Sequence, residues 1–161
     1  MPEWYFVAMA NERLWPRDLP PVWLLGSLLA MVALHVWLPG PRWLWPPWTW
    51  GGLAFVVSGG WLTLGSALRF RRVGTGVRPF SAASSLVRGG AYRWTRNPMY
   101  LGMVAFLVGI AGCLGTTTTV LVPVAFWVLL DRRFVRREEA FLRARFGADY
   151  DAWCREVRRW L

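Results

Sequence analysis

The chain has 161 residues, of which 55% are hydrophobic and 17% charged, and its formal net charge is +10. This length is typical of one domain, but soluble domains are less apolar and more charged, and the hydrophobicity excludes a disordered chain. A single histidine and two cysteines argue against a zinc site and a disulfide framework. All basic residues are arginine and many adjoin apolar runs, which favours membrane topology over nucleic-acid binding.

Four apolar segments are predicted to be helical membrane spans, since about 20 apolar residues cross a bilayer as a helix. They are residues 21–38, 50–68, 99–114 and 117–130. The last two are short and are joined by Gly115-Thr116, which predicts a tight helical hairpin. The fourth helix is expected to continue through residues 131–145. The predicted fold class is therefore all-α, a polytopic transmembrane helical bundle of about four spans with a cytoplasmic loop and an amphipathic C-terminal tail.

The second span is rich in small residues, which allow transmembrane helices to approach closely. They are Gly51, Gly52, Ser58, Gly59, Gly60 and Gly65. This face is also able to pair helices of two copies, and the sequence leaves the oligomeric state open.

The arginines lie on one side of the predicted spans. Seven occur in residues 69–98 without any acid, nine follow residue 130, and the two opposite connections contain only Arg42. The positive-inside rule then predicts that both termini and both arginine-rich segments are cytoplasmic, in an inner or plasma membrane. On the other side, four tryptophans surround Pro46-Pro47, as in an interfacial aromatic belt; they are Trp43, Trp45, Trp48 and Trp50.

The cytoplasmic loop of residues 74–100 is too long for a plain connector, and such loops are usually functional or disordered. Its apolar and aromatic side chains argue against disorder. Gly89-Gly90 predicts a turn with positive φ. Asn97 is predicted to cap a helix that begins at Pro98. One interpretation is that Asn97-Pro98 is only this helix start.

An acid pair, Glu138-Glu139, follows the fourth span among several arginines. Acids beside a membrane are costly unless paired or functional. The simpler interpretation is a solvated ladder of salt bridges along one helix. The residues that follow predict an amphipathic tail, which either folds back as a lid or anchors at the interface. Its apolar members are Phe141, Leu142, Phe146, Tyr150 and Trp153.

These motifs together resemble a known superfamily. The pattern Leu86-Val87-x-x-Gly90-x-Tyr92-x-x-x-Arg96-Asn97-Pro98-x-Tyr100-x-Gly102 is similar to the signature of integral-membrane isoprenylcysteine carboxyl methyltransferases. The same superfamily contains the phospholipid amine methyltransferases. The helical hairpin, the acid pair and the tail also match, so the resemblance covers roughly residues 74–160. We therefore expect one domain, residues 1–161, with variable spans in 1–70 and the catalytic part in 74–161.

The resemblance implies S-adenosyl-L-methionine as cofactor and a lipophilic small molecule or lipid as methyl acceptor. It implies cofactor contacts from Ser84, Ser85, Leu86, Val87, Gly90, Tyr92, Asn97, Pro98, Met99, Tyr100, Glu138 and Glu139. It further implies a catalytic set of Arg96, Asn97, Tyr100, Glu138 and Glu139, and substrate binding by Arg133 or Arg136. The eukaryotic pattern has histidine at the position of Asn97 and a His-Thr pair at Ser84-Ser85. Since asparagine does not titrate near neutral pH, Asn97 is expected to position rather than to shuttle protons.

The acceptor remains open between an isoprenylated thioether carboxylate, a phosphatidylethanolamine-type amine and a small hydrophobic thiol or acid. One alternative is a non-catalytic membrane protein of the same fold that binds anionic lipid or a protein partner. Another is a transporter or channel subunit, but the spans contain no ionisable residue except His35. No metal and no nucleic acid is predicted. Cys113 is interpreted as a core residue and Cys154 as an incidental thiol.

Overall fold

The computed structural model describes residues 19–72 and 86–161. Three 3₁₀ turns are found at Trp48–Trp50, Gly90–Arg93 and Thr118–Val120, and a π-helical turn at Asp131–Val135. The α-helices are α1 Pro20–Trp37, α2 Gly51–Arg72, α3 Pro98–Leu114, α4 Leu121–Leu130, α5 Arg136–Phe146 and α6 Ala148–Glu156. Within the described ranges the only β-type pairing is an isolated bridge between Arg42 and Thr116. The prediction of an all-α fold is therefore confirmed for this part of the chain.

Among the described residues, two helices are long and apolar enough to cross a membrane, over Pro20–Trp37 and Trp48–Arg69. Large apolar side chains cover their outer faces and are exposed, for example Leu29, Trp61 and Leu64. A helix that exposes apolar residues in this way is typical of a lipid-facing element. α3 is equally apolar but has 17 residues.

The helices α2 and α3 pack together through glycines. A Cβ atom on Gly59 would lie 2.5 Å from the amide nitrogen of Phe106. A Cβ atom on Gly52 would lie equally close to the carbonyl oxygen of Gly109. The hydroxyl of Thr63 donates a hydrogen bond to the carbonyl of Met99 at 3.3 Å. The predicted close helix approach thus occurs within one chain.

The hairpin between α3 and α4 turns at Gly115, whose φ of +65° lies in the left-handed region that favours glycine. Its amide donates to the carbonyl of Ala111, which ends α3. Beside the turn, His35 and Thr116 form a side-chain hydrogen bond of 3.2 Å. The carbonyl of Gly115 also accepts from the amide of Trp43, so the tryptophan-rich connection packs on this turn.

The chain is helical without a break from Leu121 to Phe146, and the π-helical turn lies in the middle of this stretch. The predicted continuation of the fourth helix is therefore confirmed. Leu130, Phe134 and Val135 are buried in the same apolar core as residues of α1 and α3. A π turn shifts the helical register, and such turns are frequent at functional sites. Asp131–Val135 is therefore a candidate part of a functional site.

The tail folds back on the molecule. After Gly147, α6 contributes Tyr150 and Trp153 to a second buried cluster, which also contains Val87 and Tyr92 of the loop. The tail therefore packs on the loop that precedes α3.

Candidate functional site

Four segments meet at the end of the bundle where α2 ends and α3 begins. They are the loop of residues 86–97, the first turn of α3, the path from the π turn into α5, and residues 157–161, which we call the terminal segment. Most of the residues implied by the resemblance lie here. Ser84 and Ser85 lie outside the described residues.

Glu138 lies next to the start of α3. Its Oε2 accepts a hydrogen bond from the hydroxyl of Tyr100 at 3.1 Å. Burial raises the pKa of the Glu138 carboxyl above its ordinary value, and the nearby Glu139 raises it further, while the Tyr100 hydrogen bond only partly offsets both. Glu138 is therefore a half-buried carboxyl group, and among the described residues the Tyr100 hydroxyl donates a hydrogen bond to it.

Tyr92 belongs to the same group of side chains. It is buried, and burial raises the pKa of its phenol, as does the negative charge of Glu138. The preceding Gly90 has a φ of +65°, which confirms the predicted turn. A Cβ atom on Gly89 would overlap the guanidinium of Arg69, so the loop packs directly against the end of α2.

Glu139 has a different environment from that of its neighbour. It is buried, and Arg96 Nη2 lies 3.1 Å from its Oε1. Arg159 Nη2 lies 2.6 Å from its Oε2, and Arg159 Nε donates to both oxygens at 3.1 Å. These partners come from the loop and the terminal segment, so the interpretation of the pair as a solvated ladder along one helix is wrong for Glu139.

Arg96 joins this ion pair to α6. Its Nη1 donates a hydrogen bond to Cys154 Sγ, and its Nε is buried without a hydrogen-bond partner among the described residues. Cys154 thus contacts the arginine that pairs with Glu139, and its interpretation as an incidental thiol stays a prediction. The sequence contained no signal for this contact, because the thiol is brought to Arg96 only by the packing of the tail.

Asn97 stands at the N-cap position of α3, but its side chain does not cap the helix. Asn97 Nδ2 instead donates to the carbonyl oxygen of Arg159 at 3.1 Å. The predicted side-chain cap is therefore wrong, and the Asn97 amide instead joins the helix start to the terminal segment. The position of the helix start at Pro98 is confirmed.

The two arginines expected to bind substrate lie on the exposed side of the π turn and α5. The Arg133 guanidinium stacks over the Trp23 ring at 5.6 Å, and Arg136 Nε pairs with Asp131 Oδ2 at 2.6 Å. Leu86, Val87, Pro98 and Met99 contribute packing. The structure thus brings Arg96, Tyr92, Tyr100 and the acid pair together and gives Arg133 and Arg136 other partners.

Three functional candidates were missed at the level of sequence. Asp131 is buried, Arg159 bridges it to Glu139, and Ser66 on α2 is 3% exposed with a hydroxyl that has no partner among the described residues. An acid directly after an apolar run was a usable signal for Asp131. Arg159 is one of many tail arginines, and nothing in its neighbours distinguished it.

Residues 48–149 match the family model described as phospholipid methyltransferase. Over 63 residues the chain is 32% identical to an uncharacterized protein of Haemophilus influenzae, a match that covers 39% of this chain and all of that protein.

Among solved structures, the fold is similar to that of the eukaryotic intramembrane Ras methyltransferase, isoprenylcysteine carboxyl methyltransferase. The TM-score is 0.66 at 18% identity, and the match covers 97% of this chain but 59% of that enzyme. The chain thus spans little more than half the length of this relative. Since the family model covers most of the chain, including α2, α3 and the acid pair, the protein belongs to the phospholipid methyltransferase family of membrane proteins.

Proposed function

We propose that the protein is an S-adenosyl-L-methionine-dependent methyltransferase that methylates a lipophilic acceptor at the cytoplasmic edge of the membrane. The observation that carries the proposal is the Glu138 carboxyl, desolvated and held by Tyr100 at 3.1 Å within the segment that matches the family. A desolvated carboxylate gains most from a bound group that carries positive charge.

The described residues fit this cofactor. S-Adenosyl-L-methionine supplies an electrophilic methyl group on a positively charged sulfonium, together with an amino group and a carboxylate. Glu138 offers a carboxylate for the positive charge or for ribose hydroxyls. Arg96 Nε offers a buried donor without a partner among the described residues.

Glu138, not Glu139, is the acid that we assign to the cofactor. Glu139 is already neutralised by two guanidinium groups. Breaking these charge-assisted hydrogen bonds to bind a ligand would leave buried arginine charge unpaired, which is costly. For Glu138 this cost does not arise, because in the described part of the chain its hydrogen-bond partner is the neutral hydroxyl of Tyr100.

The residues around Glu138 are proposed to align the acceptor with the methyl group of the cofactor. They form no covalent bond with either. Tyr92 and Tyr100 are buried beside Glu138 and are proposed to shape the cofactor site. A methyl transfer is an in-line displacement, so holding the reacting groups in line supplies much of the rate. The buried environment also excludes water, which helps an anionic acceptor.

The acceptor is proposed to arrive laterally from the bilayer. In this proposal four helices cross the membrane and both termini are cytoplasmic. They are α1 and α2, with their exposed apolar faces, and the hairpin of α3 and α4. Arg133 or Arg136 is exposed at the edge of the bundle and is suited to an acidic or phosphate-bearing acceptor.

The proposal is tested by titrating the purified protein with S-adenosylhomocysteine in a calorimeter. We expect binding by the wild type and weakened binding by Glu138→Gln. A radiolabelled methyl-transfer assay over phospholipids, isoprenylcysteine analogues and hydrophobic thiols then identifies the acceptor class. Absence of cofactor binding by the folded wild type would instead favour the non-catalytic lipid-binding or partner-binding alternative.

A further inference from the structure

We infer that Arg159, in the terminal segment, is a positioning residue that fixes the acid pair and Asn97 in one arrangement. The inference rests on the proposed function and deepens it. It makes residues 157–161 part of the cofactor site, although they lie outside the signature of residues 86–102 and the acid pair.

The side chain of Arg159 bridges two buried acids. Its Nη2 and Nε bind Glu139 at 2.6 and 3.1 Å, and its Nη1 lies 3.6 Å from Asp131 Oδ1. Asp131 is in the π turn and Glu139 is on α5. One planar guanidinium thus spans the point where the helical register changes, a geometry that lysine does not reproduce.

The backbone of the same segment binds the loop. Thr95 Oγ1 and Asn97 Nδ2 both donate to the carbonyl of Arg159, at 3.0 and 3.1 Å. The amide of Arg96 donates to the carbonyl of Arg158 at 2.9 Å. The terminal segment therefore holds the loop to α5, in addition to the direct ion pair between Arg96 and Glu139.

The next residue strengthens this attachment. Trp160 Nε1 donates to Asp131 Oδ1 at 3.4 Å, and its ring meets the edge of Trp127 on α4 at 5.9 Å. The guanidinium of Arg159 is partly buried, with 38% of the side chain exposed. The terminal segment is thus bound on both sides of Arg159.

Arg159 affects the two acids of the pair differently, because only Glu139 binds it directly. With Arg159 in place, Glu139 is held by two arginines and Glu138 points to Tyr100. Without this side chain, Glu139 loses its shortest ion pair, and the backbone carbonyl that accepts from Asn97 is held less firmly. We expect the carboxyl of Glu138 and the loop to lose their fixed geometry and the cofactor to bind more weakly.

The experiment compares Arg159→Gln and Arg159→Lys with the wild type, all as full-length chains. Arg155→Gln is the matched control, since Arg155 is exposed on α6 and its replacement removes the same charge. Two readouts are measured: affinity for S-adenosylhomocysteine, and the rate of maleimide modification of Cys154 resolved by mass spectrometry, with Cys113 as internal reference.

We expect Arg159→Gln to lower the affinity about tenfold or more, because it removes charge-assisted hydrogen bonds. Arg159→Lys is expected to recover only part of this loss, and Arg155→Gln to stay within about twofold of wild type. Modification of Cys154 is expected to accelerate in Arg159→Gln alone, since Arg96 and the tail are then less restrained. In Arg159→Gln combined with Glu139→Gln, the two losses are expected to be less than additive.

The inference is overturned if Arg159→Gln binds the cofactor product like wild type, or if its effect simply adds to that of Glu139→Gln. It is also overturned if only the melting temperature falls while the folded fraction binds unchanged. Failure of the wild type to bind overturns the proposed function instead. In that case the Cys154 rate still decides whether Arg159 restrains the loop.

Discussion

Glu138 and Glu139 are adjacent in sequence but face different partners, because successive residues of a helix are turned by about 100°. The sequence indicated an acid pair and left the choice between its members open. Only the return of the tail, which brings Arg159 to Glu139, distinguishes them. The sequence left open whether the tail folds back or anchors at the interface, since the contacts that decide this join residues far apart along the chain.

We predict that Glu138→Gln weakens binding of S-adenosylhomocysteine about tenfold or more, since a hydrogen bond to a charged group is lost. The same change is expected to stabilise the ligand-free protein at neutral pH. Burial raises the folded-state pKa of Glu138, so its ionisation costs stability, a cost that is absent below its ordinary pKa and present above the folded-state value. Thermal unfolding at two pH values measures this, and a lower melting temperature at neutral pH contradicts it.

Tyr100→Phe tests the hydroxyl that binds Glu138. Its hydrogen bond lowers the pKa of Glu138, so its removal raises that pKa further. If binding requires the ionised carboxyl, the acid limb of the affinity–pH profile shifts to higher pH, by roughly half to one unit for a hydrogen bond of ordinary strength. Calorimetric titrations between pH 5 and 8 reveal the shift, and an unshifted limb with reduced affinity would assign Tyr100 a packing role alone.

At the scale of elements, the helices were predictable because long apolar runs and the signals at Pro98 and Gly115 carry local information. The π turn was not, since no residue type specifies it and tertiary packing of Phe134 and Val135 determines it. The glycines of α2 correctly predicted that this helix approaches another helix closely. Only the structure shows which of these glycines face α3.

We predict that Gly59→Ala destabilises the bundle by about 1–3 kcal/mol, because its Cβ would overlap the rigid backbone of α3. Gly60→Ala is the matched control, since nothing lies within 4 Å of that position. It is expected to be neutral or slightly stabilising. Thermal unfolding in detergent compares the two, and equal effects would show that α2 and α3 do not pack through Gly59.

At the scale of the molecule, the arginine distribution predicts the orientation. In a variant with Cys113→Ser and Cys154→Ser, Trp48→Cys is expected to react with a membrane-impermeant maleimide in intact cells. Arg155→Cys is expected to react only after the membrane is permeabilised. The reverse pattern contradicts the proposed orientation, and labelling of both positions from outside contradicts four crossings.

The hydrogen bond between Thr63 and Met99 also sets the depth of the site. It marks the start of α3 on α2, yet α2 carries its first charge only six residues later, at Arg69. At 1.5 Å per residue this difference is about 9 Å. In the proposed orientation the first turn of α3 therefore lies on the membrane side of Arg69, so that a lipid acceptor enters the site laterally from the bilayer, while the polar cofactor enters it from the cytoplasmic side.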